Sequence, residues 1–399
     1  MAWNRRQLLS ATLAFAAAPA LAQNGGAQPD FEAHLARLAA KAQSAGVPRE
    51  VAEAALRGIA PDASLMGRST RQPEFSRPLQ DYVAEAASAG RARRGRELAS
   101  RWSAPLAAAE AASGAPGSVI LALWALETDF GREMGSRDVL RSLCTLAYAR
   151  PENGAFADEV VAALIMVRNG VPREKLRGSW AGAMGNPQFL PSAYLKYATS
   201  PEGRPNPDIW SSVPDSVASI GAFLKGSGWR AGVPAAVEVR MPAGYDIAAL
   251  RQDSRAWTVA GFQALDGTEL PASGEAMLFL PSGARGPAFL LYANFWVLKV
   301  YNFSDSYAMA ASILADRIAG GPGVRQPWPK NEMLLGQADR ERLQRALLAL
   351  GHYRGAVDGR FGPVTREAIH AFQRQIGYRP SDGYPSAEIL ARAAAASGT

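Results

Sequence analysis

The chain has 399 residues, of which 48% are hydrophobic and 20% are charged. These proportions are typical of a globular protein with a substantial core, and the length favours two or three domains. The formal net charge is +7. Because the basic residues are interspersed with acidic ones and form no long stripe with aromatic residues, the charge argues against nucleic acid as a partner. An acidic polymer or an anionic surface fits the net charge equally well.

The first 22 residues have the features of an export signal. Arg5-Arg6 is followed by Leu8-Leu9 and a short run of Ala, Leu and Phe that ends at Ala20-Leu21-Ala22. This pattern predicts a secretory signal that is cleaved after Ala22, and its start also resembles a twin-arginine signal. No cysteine stands directly after the apolar run of the signal, where a lipid would be attached. No other apolar stretch reaches transmembrane length. We therefore expect a periplasmic protein without a membrane anchor.

Helical spacing of apolar residues dominates the next two hundred residues. Helices are predicted at 29–60 with a break at Gly46-Val47-Pro48, and at 81–112, 116–130, 155–169 and 216–225. The segment 81–112 is rich in Ala, Arg and Glu and predicts one long helix. The segment 116–130 is apolar, and we expect Gly131 to end it.

The pattern changes in residues 232–291, which we predict to form a small β subdomain. Val237-Glu238-Val239-Arg240-Met241 alternates with period two, and Ala276-Met277-Leu278-Phe279-Leu280 does so less cleanly. Residues 295–318 predict one further helix. Gly and Pro are dense after it, so residues 321–335 are expected to form a linker. Residues 336–395 then predict a small helical module appended for binding.

The cysteine and histidine content excludes most kinds of catalytic site and leaves one based on carboxylates. The single cysteine, Cys144, excludes an intramolecular disulfide and a zinc site with several thiolates. The three histidines, His34, His352 and His370, lie far from the central apolar helices. A serine triad and a catalytic zinc both need histidine at the site, so neither is expected. We predict no metal and no cofactor.

Glu127 is the most conspicuous carboxylate in the sequence. It follows the apolar run Val119-Ile120-Leu121-Ala122-Leu123-Trp124-Ala125-Leu126, so its neighbours one turn back are apolar. An apolar environment raises the pKa of a carboxyl group, as a general acid requires. An ion pair with Arg132 at the end of the helix is an equally good interpretation of composition alone.

Three ordered motifs resemble the lytic murein transglycosylase B family. Glu127-Thr128-Asp129-Phe130-Gly131 is similar to the catalytic motif of lytic transglycosylases. The segment Gly178-Ser179-Trp180-Ala181-Gly182-Ala183-Met184-Gly185-Asn186-Pro187-Gln188-Phe189-Leu190-Pro191-Ser192 resembles the signature loop of that family. Asn294-Phe295 followed by Tyr301-Asn302-Phe303-Ser304-Asp305-Ser306-Tyr307 resembles its closing motif. Gln72-Pro73-Glu74-Phe75 also matches its N-terminal half.

The resemblance implies a mainly α fold, with a lysozyme-like α core and a small β subdomain, in a catalytic domain at 23–320. It implies that Glu127 is the sole acid and base. It also places Ser179 and Gln188 in the substrate cleft, and Tyr301, Asn302 and Tyr307 along another wall of it. Some family members carry a calcium loop after the signature loop. Here Arg204 and several prolines interrupt that pattern, so no calcium dependence is expected.

The last domain, at 336–395, resembles the three-helix peptidoglycan-binding domain. The similarity lies in the spacing of Leu350-Gly351, Tyr353, Asp358-Gly359, Phe361-Gly362 and Phe372-Gln373. Its last turn departs from the usual pattern and reads Tyr384-Pro385-Ser386-Ala387. The resemblance implies binding to peptidoglycan glycan strands, while any protein partners in wall synthesis or division stay unknown.

The function implied is lytic cleavage between N-acetylmuramic acid and N-acetylglucosamine, which leaves 1,6-anhydromuramoyl ends. Ordinary glycosidases use two carboxylates, whereas Asp129 at i+2 points to another helix face than Glu127. Two alternatives remain at this point. One is a hydrolytic muramidase, and the other is a non-catalytic peptidoglycan-binding protein. A wall amidase or transpeptidase is disfavoured because histidine ligands are missing and Cys144 has no histidine nearby in the sequence.

Overall fold

A computed structural model describes residues 27–66, 77–329 and 334–398. The predicted export signal at 1–22 and the Gln72-Pro73-Glu74-Phe75 motif lie outside these residues. The chain forms two compact units. Unit 1 contains Met1–Arg71 and Arg94–Ser227, and unit 2 contains Gln72–Arg93 and Gly228–Thr399. The predicted fold class is confirmed in its main feature, since the described residues are mostly helical with small sheets.

Unit 1 is built almost entirely of helices. Its elements are α1 (Ala27–Ser44), α2 (Arg49–Leu56), α3 (Ala63–Met66), α5 (Ala89–Arg101, from Arg94 onward), α6 (Ser103–Ser113), α7 (Gly117–Thr128), β1 (Arg137–Asp138), α8 (Val139–Ala149), α9 (Gly154–Arg168), β2 (Arg177–Gly178), α10 (Pro191–Tyr197) and α11 (Val213–Gly226). Strands β1 and β2 pair antiparallel. The break predicted at Gly46-Val47-Pro48 is confirmed, because it falls between α1 and α2.

Helix α7 forms the centre of unit 1. Its residues from Ile120 to Ala125 are all buried, as expected for a helix that is apolar on every side. Helix α11 packs against both α6 and α7, while α9 packs against α8 and α10. The motif that begins with Glu127 therefore leaves from a buried helix of this unit.

The single helix predicted at 81–112 is wrong. The structure has three helices there, α4 (Leu79–Ala86), α5 and α6. Pro105 lies at the start of α6 and cannot donate to the carbonyl oxygen of Arg101, so α5 ends at that residue. At the earlier break, Arg91 donates to the carbonyl oxygen of Ala86 at 2.7 Å and satisfies the end of α4.

Unit 2 contains the predicted β region. Its five strands are β3 (Ala236–Arg240), β4 (Arg251–Asp253), β5 (Gln263–Ala264), β6 (Glu275–Phe279) and β8 (Ala288–Leu291), in the order β4-β6-β8-β3-β5. All neighbours are antiparallel. A short strand β7 (Pro281–Ala284) and helix α12 (Ser254–Val259) complete the region. The two segments predicted to be strands are β3 and β6, each displaced by one residue.

The helix predicted at 295–318 is two helices, α13 (Ala293–Tyr301) and α14 (Asp305–Ile318). Asn302 takes an extended conformation, and the Ser304 hydroxyl accepts from the Tyr307 backbone at the start of α14. A serine cap of this kind stabilises a new helix start. The sequence Asn302-Phe303-Ser304 therefore ends one helix and begins the next.

The C-terminal module consists of α15 (Gln337–Ala349), α16 (Pro363–Gln375) and α17 (Ala387–Ser397). Its helices share a core of buried residues that includes Leu343, Leu347, Ile369 and Phe372. Ser386 caps α17, so a helix still begins here although the sequence of this turn departs from the usual pattern.

The module is attached to the β region within unit 2. The side chain of Asp382 accepts from the backbone of Ala284 at 3.1 Å, and His370 contacts the carbonyl oxygen of Ile247 at 3.0 Å. The guanidinium of Arg366 lies over the ring of Phe279, 4.6 Å from its centre.

The linker before the module is also held. Glu238 on β3 accepts from the backbones of Arg325 and Gln326 at 2.8 and 2.7 Å.

Among the described helices, none alone is long and apolar enough to cross a membrane. Only α6 and α7 taken together meet the length and composition test, and these two helices are bent by 106°.

Candidate active site

Glu127 occupies the last turn of α7 in unit 1 and is half-buried. The helix ends one residue later, not near Phe130 as predicted. Asp129, Phe130 and Gly131 all have left-handed backbones, with φ of 47°, 58° and 86°. Two consecutive residues with side chains in this region are uncommon, and such strain persists only where the surroundings fix it. The chain therefore turns sharply away directly after Glu127.

Asn186 of the signature loop fixes this turn. Its side-chain oxygen accepts from the Trp124 indole at 2.7 Å, and its backbone oxygen accepts from the Thr128 hydroxyl at 3.2 Å. Its amide nitrogen donates to the backbone of Ile209 at 3.1 Å. A Cβ atom on Gly131 would lie 2.6 Å from the Asn186 oxygen, so the motif glycine is sterically required here. One buried amide thus connects the helix that carries Glu127 to the signature loop.

Aromatic contacts support the same turn. The rings of Trp124 and Phe130 meet edge to face with centres 5.6 Å apart. The guanidinium of Arg94 on α5 lies 5.7 Å from the centre of the Phe130 ring. Both rings are nearly fully buried. The aromatic position of the motif therefore packs against the helix and is not an open sugar platform.

The signature loop carries Ser179 and Gln188. The Ser179 hydroxyl accepts from the Ala183 backbone at 3.1 Å and closes the first turn of the loop. Gln188 is buried in a left-handed conformation with φ of 51°. Its amide nitrogen donates at 3.1 Å to the carbonyl oxygen of Met134, which follows the Glu127 motif. The structure thus brings the loop at Gln188 against the segment that follows Glu127.

Glu159 on α9 is a buried carboxylate that the sequence analysis did not single out. Its oxygens accept from the Ser192 hydroxyl at 2.5 Å and from the Ser192 backbone at 2.9 Å. Burial raises the pKa of Glu159 to about 7 against these hydrogen bonds, which lower it. One sequence signal could have identified it: it is an acid followed by Val160 and Val161 on a mostly apolar helix.

Asp129, the other acid of the motif, lies just past the end of α7. It is the C-terminal cap of α7, and its carboxylate lies 3.4 Å from the guanidinium of Arg132. Arg132 therefore forms an ion pair with Asp129.

The remaining predicted site residues belong to unit 2. Tyr301 ends α13, Asn302 follows it, and Tyr307 lies in the first turn of α14. All three are buried. The Asn302 oxygen accepts from the Ser304 backbone at 3.2 Å, while its amide nitrogen has no hydrogen-bond partner among the described residues.

The loop between α10 and α11 is held by an arginine. Arg204 donates to the buried carboxylate of Asp215 at 2.8 Å and to Glu202 at 2.5 Å. The backbone of Asp208 donates to Asp215 as well, at 2.7 Å. The described residues contain no cluster of three or more side chains suited to a metal ion.

Comparison with known proteins places this geometry in a family. Residues 30–316 match the model of the transglycosylase SLT domain, and residues 336–392 match that of a peptidoglycan binding domain. The chain is 32% identical over 213 residues to membrane-bound lytic murein transglycosylase B of Escherichia coli (strain K12). This match covers 52% of the chain and 58% of that relative, so the chain spans less than two thirds of the relative's length.

Solved structures extend the match to most of the chain. The crystal structure of SltB3 from Pseudomonas aeruginosa in complex with NAG-NAM-pentapeptide has a TM-score of 0.82 and 38% identity, and the match covers 91% of this chain and 99% of that one. Soluble lytic transglycosylase SltB1 from the same organism has a TM-score of 0.63 and 27% identity, over 73% of this chain and 99% of that one. These matches and the family match over residues 30–316 show that the chain belongs to the transglycosylase SLT domain family.

Proposed function

We propose that this protein is a lytic transglycosylase that cleaves peptidoglycan glycan strands with Glu127 as its acid and base. The observation that carries the proposal is the environment of Glu127. It is a half-buried carboxylate in the last turn of an apolar helix, and Asn186 anchors the residues on both sides of it. Structures of SltB3 with NAG-NAM-pentapeptide and with NAG-anhNAM-pentapeptide support the substrate class.

The reaction follows from a single carboxylic acid. Glu127 donates its proton to the glycosidic oxygen as the bond from that oxygen to C1 of N-acetylmuramic acid breaks. Glu127, now a carboxylate, accepts the proton of the muramoyl C6 hydroxyl, whose oxygen bonds to C1. The product is a 1,6-anhydromuramoyl end, no water is consumed, and Glu127 is again protonated. General acid–base assistance of this kind contributes about 10²–10⁴-fold to a rate.

We propose substrate contacts for Ser179 and Gln188 in unit 1 and for Tyr301, Asn302 and Tyr307 in unit 2. Amide and hydroxyl groups suit the hydroxyl and N-acetyl groups of the sugars. Asn302 provides the best support, because a buried amide nitrogen without a partner costs about 1–3 kcal/mol and the large majority of buried polar side-chain atoms in folded proteins have a partner. A sugar oxygen would satisfy that nitrogen.

The C-terminal module, α15–α17, is proposed to bind the same polymer. Its match to a peptidoglycan binding domain supports this role. The predicted signal at 1–22 and the kind of polymer both support a periplasmic location. Fractionation would test the location, since mature protein that stays in the membrane after a salt wash would contradict it.

Digestion of purified sacculi tests the reaction. Mass spectrometry of the released muropeptides should show anhydromuramoyl ends, which lack the water that hydrolysis adds. Products with added water would identify a hydrolytic muramidase. Binding to sacculi without any released product would identify a non-catalytic wall-binding protein.

A further inference from the structure

We infer that Glu159 is a positioning residue for the reaction, because its two hydrogen bonds to Ser192 hold the end of the signature loop. The inference rests on the proposed function, in which Gln188 of that loop contacts the substrate. Glu159 itself lies on α9, outside the three motifs that resemble the family, and it is 2% exposed.

The contact between Glu159 and Ser192 is bidentate and specific. One carboxylate oxygen accepts from the Ser192 hydroxyl at 2.5 Å and the other accepts from the Ser192 backbone at 2.9 Å. Both oxygens of the Glu159 carboxyl group thus have a hydrogen-bond partner on Ser192. Burying a carboxylate without partners is costly, so the surroundings of Glu159 favour this one arrangement.

Helix α10 needs this contact because it has no cap of its own. Its N-cap residue is Leu190, which makes no side-chain cap hydrogen bond, and Pro191 begins the helix. The first backbone donor inside the helix is that of Ser192, which has no acceptor within the helix. Glu159 supplies that acceptor from a neighbouring helix.

The start of α10 determines where Gln188 lies. Only Phe189 and Leu190 separate Gln188 from Pro191, and the backbone of Phe189 exchanges two hydrogen bonds with Met184 at 2.8 and 3.0 Å. Gln188 already has an unfavourable left-handed backbone, with φ of 51°. A conformation of this type relaxes when its flanking anchors are lost. Removal of the Glu159 carboxylate should therefore displace Gln188 and leave α7 in place.

Three variants of the full chain test this inference, Glu159→Ala, Glu159→Gln and the control Asp158→Asn. Asp158 neighbours Glu159 on α9, but it is exposed and pairs with Lys41. Gln keeps an acceptor for the Ser192 backbone and a group that can bond the hydroxyl, whereas Ala keeps neither. Steady-state kinetics on soluble glycan fragments and hydrogen–deuterium exchange at 184–193 and 117–128 are measured for each.

We expect Glu159→Ala to lower kcat by about 10-fold or more. A small misplacement of a group that contacts the substrate lowers the rate of reaction more than it lowers the affinity for the substrate. KM should change by less than about two-fold, and exchange should rise at 184–193 but not at 117–128. Glu159→Gln should restore kcat and exchange to near the values of Asp158→Asn.

Two results would overturn the inference. One is a Glu159→Gln protein as impaired as Glu159→Ala, and the other is exchange that rises equally at 117–128, which indicates a general loss of stability. If the unmodified protein releases no product from sacculi, the proposed function fails, and the exchange pattern alone still decides whether Glu159 holds the loop.

Discussion

Glu127 and Asp129 are two residues apart, yet the structure gives them different surroundings. Glu127 lies in the last turn of α7, while Asp129 is the left-handed cap that pairs with Arg132. We therefore expect Glu127→Gln to lose activity on sacculi by at least about 10⁴-fold, because Gln can neither donate nor accept the proton. Asp129→Asn should keep most of its activity. Release of anhydromuropeptides, quantified by mass spectrometry, measures both variants.

The fold of both variants provides the control. Circular dichroism and sacculus binding should match those of the unmodified protein, since Gln and Asn keep the shape of the side chains they replace. A Glu127→Gln enzyme with nearly full activity would contradict the assignment. An Asp129→Asn enzyme as inactive as Glu127→Gln would point to a hydrolase with two carboxylates.

The buried carboxyl of Glu159 predicts a pH dependence of stability. Burial raises its pKa to about 7 from an ordinary value of 4.5, so folding favours the protonated form. Its contribution to the free energy of unfolding is therefore complete below about pH 4.5 and is lost as the pH rises through 7. The nearby charge of Asp158 raises the pKa of Glu159 further, and Asp158 itself pairs with Lys41.

Glu159→Gln removes this titration. Chemical denaturation between pH 5 and 8 should show that the difference in unfolding free energy between Gln and Glu proteins grows in favour of Gln as the pH rises. The change should be about 1–3 kcal/mol. Other titrating groups cancel in this difference. A difference that stays constant over the range would show that Glu159 titrates as an ordinary exposed acid.

At the scale of elements, the loop after α10 is held by the side chain of Arg204. Arg204 pairs with Asp215, whose side chain is 0% exposed, at the start of α11. Arg204 itself is 40% exposed, so solvent weakens the pair, but the variant Arg204→Met leaves the buried Asp215 carboxylate without this partner. We therefore expect Arg204→Met to lower the melting temperature. Thermal unfolding measures the loss.

The same measurement with a chelator separates this loop from a calcium site. Excess EDTA should leave the melting temperature of the unmodified protein unchanged, and added calcium should not rescue Arg204→Met. Arg204→Lys is the matched variant, because it keeps the charge but not the two-nitrogen contact with Asp215 at 2.8 and 3.3 Å. A melting temperature that falls with EDTA and recovers with calcium would refute the prediction.

Apolar periodicity located the helices well but not where they break. It predicted α1, α2, α7, α9 and α11, whose buried faces repeat every three to four residues, but it predicted no helix at α8 or α10. The breaks at Arg101 and Asn302 depend on a proline inside the next helix and on a serine cap, both of which were visible in the sequence. The early end of α7 was not predictable in this way, because it depends on the distant Asn186.

The residues of the candidate site were also predictable only in part. The motifs identified Glu127, and the structure shows its anchoring by Trp124, Thr128 and Asn186. Glu159 was missed because its partner Ser192 lies 33 residues away along the chain. Long-range polar pairs of this kind leave no periodic signal in the sequence.

At the scale of the whole molecule, the C-terminal module is held within unit 2. Arg374 donates to the carbonyl oxygen of Ile247 at 2.9 Å, Arg251 pairs with Glu367 at 3.1 Å, and Asp382 accepts from Ala284. The module thus adds packing to the β region in addition to any binding role. Two effects of its removal must therefore be separated.

A protein truncated after Pro329 keeps the linker contacts of Glu238 but loses α15–α17. We expect weaker sacculus binding, because the module no longer raises the local concentration of the enzyme on an insoluble polymer. We also expect a lower melting temperature, because removal of the module exposes apolar side chains such as Phe279, which Arg366 covers. Cleavage of soluble glycan fragments should persist at a temperature where the truncated protein stays folded.

The full-length variant Arg374→Ala is the matched control for this truncation. It weakens the attachment of the module at Ile247 and Asp246 without removing the module. If the module binds glycan strands, Arg374→Ala should lower the melting temperature slightly and leave sacculus pull-down intact, whereas the truncation should reduce pull-down several-fold. Unchanged pull-down by the truncated protein would show that α15–α17 serve only to stabilise the β region. Loss of pull-down in Arg374→Ala alone would instead show that binding depends on how the module is held.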